Sequence, residues 1–93
     1  VIAALRAAAD RADGARAERW LEAALAIDPC DEAVCRQLLA CLVAQGLRAR
    51  AQARYAAFAR RVQEELGLEP SPELRGFLGR IVADDHQGRT DPV

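Results

Sequence analysis

Apolar residues in this chain recur at intervals of three and four rather than alternately, which is the spacing of helices with one buried face. No stretch carries a convincing strand pattern. The first predicted helix runs from about Val1 to Arg11, with Ile2, Leu5, Ala9 and Ala12 on one side, and Asp13-Gly14 breaks it. The second runs from about Ala15 to Ile27. Its stripe is Ala17, Leu21, Ala24 and Leu25, and Trp20 and Ile27 widen it on one flank. An exposed tryptophan can anchor an interface, but so broad an apolar arc predicts that Trp20 is buried against a second neighbour.

The third predicted helix, about Pro29 to Gln45, carries Val34, Cys35, Leu38, Cys41 and Leu42 on one face, with Leu39 and Val43 beside them. Asp28 is its expected cap and Pro29 its first residue, and Asp31 and Glu32 suit the positive end of its dipole. Gly46 is placed to end it in a left-handed conformation. The fourth, about Arg48 to Leu66, has the stripe Ala51, Tyr55, Phe58, Val62 and Leu66. Gly67 is its expected terminator, and Leu68 is expected to fold back on the last turn. Glu69-Pro70 keeps the chain extended, Ser71 caps a fifth helix, and Pro72 and Glu73 open it. That helix is predicted to reach about Asp84, with Leu74, Phe77, Leu78 and Ile81 inward and Gly76 and Gly79 outward. Residues 1–86 read as one domain and 87–93 as a disordered tail.

Composition narrows the possibilities. A chain of 93 residues supports one thin core. Every basic residue is arginine and asparagine is absent, which reads as a GC-rich coding bias. The net charge of −1 argues against a large phosphate-tracking surface. No segment approaches the roughly 20 apolar residues of a membrane span, and the first residues do not read as a signal peptide. Cys30, Cys35 and Cys41 match no zinc or redox spacing and are expected to be small buried hydrophobes in a reducing cytosol. Asp84-Asp85-His86 does not converge on one point. With no nucleophile-and-base set and no glycine-rich loop after a strand, no catalytic, metal or cofactor-binding residue is assigned, and an enzyme is not expected.

The pattern repeats. Helix two ends in Asp28-Pro29, and after Gly46 the chain reaches Ala51 and Tyr55, a small residue and then an aromatic a turn later. This resembles a tetratricopeptide repeat, a helix pair of about 34 residues. The first pair is two residues short between Gly14 and Pro29, and the second ends in Gly67 and Pro70 instead of Asp-Pro. Ala17 and Ala51 let antiparallel helices approach closely. The fold predicted is all-α, five tetratricopeptide-like stacked antiparallel helices.

A more specific resemblance lies between Ala24 and Leu78. Asp28-Pro29 with Asp31-Glu32, Arg36 with Leu38-Leu39, Gly46, Ala51, Tyr55 with Phe58, Glu65-Leu66-Gly67 and Pro70-Ser71-Pro72-Glu73-Leu74 resemble the bacterial transcriptional activator domain of the Streptomyces antibiotic regulatory protein family. The resemblance implies tetratricopeptide-like helices that follow a winged helix-turn-helix domain. It further implies dimerisation or contact with RNA polymerase, in the cytoplasm. DNA binding would then belong to a domain outside these residues, the chain corresponding to the C-terminal part of the activator domain.

Two surfaces are candidates for a partner. Arg50, Arg54 and Arg61 share a flank of helix four, read either as a basic ridge or as a solvated face in which Arg61 pairs with Glu65 and Arg60 with Glu64. Arg36, Ala40 and Val43 fall on the face that a repeat turns to its concave side, read either as a groove for a partner helix or as a surface that neighbouring repeats cover. The competing roles are a general repeat adaptor and a sensor that holds a small ligand between its helices.

Overall fold

The computed structural model describes residues 1–80, which are helical throughout apart from short turns and contain no strand. Four helices have both ends described: α1 (Ile2–Arg11), α2 (Gly14–Ile27), α3 (Glu32–Ala44) and α4 (Arg48–Leu66). Residues 72–80 are the described part of α5. The expected extension of α5 to Asp84, Asp84-Asp85-His86 and the tail at 87–93 lie outside the described residues.

Each helix packs on the next, α1 on α2, α2 on α3 and α3 on α4. The intervening turns are short, so successive helices run antiparallel and stack. Helix α3 lies inside this stack and carries Val34, Cys35, Leu38, Leu39 and Leu42, all buried. Around it close Leu21, Ala24 and Leu25 of α2, Ala51, Phe58 and Val62 of α4, and Leu74 of α5. Burying a side chain of leucine size stabilises a fold by about 1.5–3 kcal/mol, so the leucines of α3 anchor the core. Ala17, Ala24 and Ala51 are buried and small. Their size sets how near the helix axes can come.

The ends of the helices follow local chemistry. The Asp13 carboxylate accepts from the Arg16 amide at 3.2 Å and caps α2. Gly46, at φ 80°, closes α3 as expected. Its amide donates to the Val43 carbonyl at 2.9 Å, and the Leu47 amide donates to the Leu42 carbonyl at 2.9 Å. This pair of bonds is a Schellman turn, and Leu47 packs against the core beside it. Gly67, at φ 68°, terminates α4. Ser71 caps α5: its hydroxyl accepts from the Leu74 amide at 3.2 Å.

Four expectations are corrected. First, α3 begins at Glu32, not Pro29. The Asp28 carboxylate accepts from the Cys30 amide, and the Asp31 amide donates to the Asp28 carbonyl, so 28–31 form a tight turn. Asp31 is the true cap, accepting from the Val34 amide at 3.2 Å. Second, Leu66 is 57% exposed: it is the last residue of α4, and the chain leaves at Gly67 without Leu68 covering it. Third, Leu68 is 59% exposed and does not fold back; Pro70 is the residue buried after the turn. Fourth, Trp20 and Ile27 are 39% and 53% exposed. They sit on a side of α2 against which no described helix packs.

Helix α5 is held by an interaction that no local pattern announces. The Glu32 carboxylate, in the first turn of α3, accepts from the Ser71 amide at 2.7 Å and from the Ser71 hydroxyl. These are charge-assisted bonds to a half-buried acceptor, so they bind the start of α5 to the start of α3.

Ala51→Leu should destabilise the domain by about 1–3 kcal/mol in urea unfolding, since a larger side chain pushes the helices apart. Ala56→Leu, exposed on the same helix, should change stability by less than about 0.5 kcal/mol. Glu32→Ala should release α5 locally, so that trypsin cleaves after Arg75 about tenfold faster at unchanged overall helicity.

Candidate interaction site

The side of α3 that faces away from α4 is the floor of an open groove. Ala33, Arg36, Gln37 and Ala40 form the floor, Arg6 and Asp10 of α1 one wall, and Phe77 of α5 the other, around about 390 Å³. Asp10, Gln37 and Ala40 also line a second hollow of about 440 Å³, bounded by Ala9, Ala17 and Cys41. The two hollows therefore adjoin along α3, meeting at Asp10, Gln37 and Ala40, and together they are the α3 channel. Periodicity placed Arg36 and Ala40 on this surface, and both line it. Val43 does not: it is half-buried against the core near Leu47, because the turn at Gly46 brings the chain back onto that end of α3.

Gln37 organises the α1 wall. Its amide nitrogen donates to the Asp10 carboxylate at 2.8 Å and to the Arg6 carbonyl at 3.1 Å, and its oxygen accepts from Arg6 Nε at 2.9 Å. On the opposite wall the Arg36 guanidinium lies 5.1 Å from the centre of the Phe77 ring, and that of Arg80 lies 5.8 Å from it. The channel thus offers small alanines in its floor, an aromatic ring, and charges of both signs at its rim. No periodic signal identifies Gln37, whose partners lie on another helix.

Arg50, Arg54 and Arg61 stand on the flank of α4 that the sequence indicated, but all three are paired. Arg50 bonds to Glu18, and Arg54 grips Glu22 through two bonds of 2.9 and 2.8 Å. Arg61 bonds to Glu65 within its own helix at 2.6 Å. Of the two readings, the ridge of free positive charge is therefore not what forms. The solvated face is right for Arg61 with Glu65, but an Arg60–Glu64 pair is absent among the described residues. Both of those side chains instead edge an open hollow of about 450 Å³ between α2 and α4. The ladder from Glu18 and Glu22 to Arg50 and Arg54 has a signal in the sequence: two acids and two arginines, each four apart, on alternate helices.

The cysteines divide. Cys35 is wholly buried, and burial pushes its thiol up to about 12. Cys30 and Cys41 are only half-buried, and burial is again the first cause that raises each of them. Cys41 donates to the Gly14 carbonyl at 3.4 Å, tying α3 to the start of α2. Among the described residues no group of three or more histidine, cysteine, aspartate or glutamate side chains is placed to hold a metal. No described helix is long and apolar enough to cross a membrane.

Because the thiolate is the reacting form, a raised thiol pKa means slow modification. Cys35 should stay silent to a disulfide reagent in mildly alkaline buffer until the protein unfolds, while Cys30 and Cys41 react first. Counting released thiolate with and without urea checks this.

Comparison with curated proteins and with solved structures returns no match. A family model does match, and it covers residues 2–81, from the start of α1 through the described part of α5. The chain belongs to the bacterial transcriptional activator domain family.

Proposed function

We propose that this domain is a protein–protein interaction module of a bacterial transcriptional regulator, and that it positions a DNA-binding domain and offers the α3 channel to a second protomer or to RNA polymerase. Family membership supplies the regulatory setting. The observation that carries the interaction reading is the channel itself. Its alanine floor admits the close approach of a partner backbone, while Phe77, Arg36 and Asp10 supply stacking and charge at its rim.

DNA contact is assigned to another domain. The net charge is −1, and Arg50, Arg54 and Arg61 are each neutralised by a glutamate, which leaves little positive field for phosphates. The resemblance to the Streptomyces antibiotic regulatory proteins and to tetratricopeptide repeats supports control of secondary metabolism through stacked helices.

Sedimentation of the purified domain, alone over a wide concentration range and mixed with RNA polymerase, tests the reading. A concentration-dependent dimer or co-sedimentation with polymerase is expected. Ala40→Arg should abolish whichever occurs, since it fills the channel floor at an exposed site without disturbing the fold. A monomer at every concentration that ignores polymerase contradicts it.

A further inference from the structure

The outer flank of α2 carries an exposed apolar surface edged by arginine. Trp20, Ala23 and Ile27 lie at i, i+3 and i+7 and are all exposed. With Arg16 and Arg19, Trp20 and Ala23 line an open hollow of about 400 Å³ bounded by α2 residues alone. Neither arginine forms an ion pair among the described residues.

The molecule contains a filled version of this surface. Helix α4 matches α2 at an offset of about 34 residues, the length of a helix-pair repeat. Ala17 then corresponds to Ala51, Leu21 to Tyr55 and Ala24 to Phe58, and all six lie within the core or pack against it. Carried to the flank, the same offset matches Arg16, Arg19, Trp20 and Ala23 to Arg50, Ala53, Arg54 and Ala57. Those four α4 residues line the hollow whose opposite wall is Glu18 and Glu22 of α2. The hollow on α2 is therefore the same half-site with its second wall missing. In the filled version that wall is a parallel helix with carboxylates four residues apart, bonded to Arg50 and Arg54. On α2, arginine is kept at the first position, tryptophan replaces it at the second, and Ile27 stands where α4 has Arg61.

We propose that Arg16, Trp20, Ala23 and Ile27 form a docking face for one amphipathic partner helix. This helix lies parallel to α2, with a carboxylate opposite Arg16 and apolar side chains opposite Trp20 and Ile27. Charge complementarity fixes the first contact, and the Arg54-to-Trp20 and Arg61-to-Ile27 changes fix the other two as apolar. The repeat-equivalent flank of a second copy does not supply that chemistry. At the same offset Glu18 and Glu22 match Gln52 and Ala56 on α4, both exposed, which offer neither a carboxylate nor a large apolar group. The face lies on α2 and not on α3, so the assignment holds whichever partner the α3 channel takes.

Trp20 is the sole tryptophan, so its fluorescence reports on this face alone. The probe is a stapled helical peptide without tryptophan, carrying glutamate, leucine and leucine at i, i+4 and i+8. Titration into the full chain should move Trp20 emission to shorter wavelength and saturate. Arg16→Glu, at an exposed site, should weaken binding roughly fivefold, and lysine in place of the peptide glutamate should restore it. Three results overturn the proposal: no shift in emission, affinity indifferent to Arg16→Glu, or a concentration-dependent shift of the chain without peptide, which would make a second copy the occupant.

Discussion

The structure depends on how closely its helices can approach. Ala17, Ala24 and Ala51 are buried, with Ala24 and Ala51 at 0% exposure, and lie where larger side chains would hold neighbouring helices apart. With little aromatic content, this chain makes its core largely from leucines interleaved with alanines, whose small size permits close approach of the helices. Helix α3 is the beneficiary. Packed by α2 and α4, it buries five side chains and still turns one face outward. That outward face is the floor of the channel, so the constraint that makes the core thin also leaves an unfilled surface over it.

Much of this was legible in the sequence because it is local. Five helices, the left-handed glycines at 46 and 67 and the Ser71 cap follow from spacing and terminator chemistry. The start of α3 lies three residues later than its pattern indicates because two aspartates compete to cap it. Asp28 spends its carboxylate on the Cys30 amide, which leaves Asp31 to begin the helix. Trp20 is exposed for a different reason: periodicity reports that a flank is apolar, not that something lies against it.

The site was legible in part. Arg36 and Ala40 fall on the channel by helical geometry, whereas Val43 shares their side of the helix but is claimed by the turn at Gly46. The arginines of α4 were placed correctly, but the partners of Arg50 and Arg54 lie on another helix 32 residues earlier. Gln37 and the Glu32–Ser71 latch were not visible, since each joins segments far apart in the chain through one polar side chain. Polar cross-links of this kind have no period. They become apparent once the packing of the helices is known.

The arrangement has two kinds of surface: a channel of mixed polarity above α3, and flanks along α2 and α4 where helices meet side by side. Its rigidity comes from α3, and the helices at either end of the stack are the more easily opened elements. Hydrogen–deuterium exchange resolved by residue tests this account most directly. Amides of α3 between Val34 and Leu42 should exchange slowest, at rates set by global unfolding, with α1 and residues 72–80 exchanging earlier through local opening. If α3 exchanges as early as α1, the helices do not share one seam and the account fails.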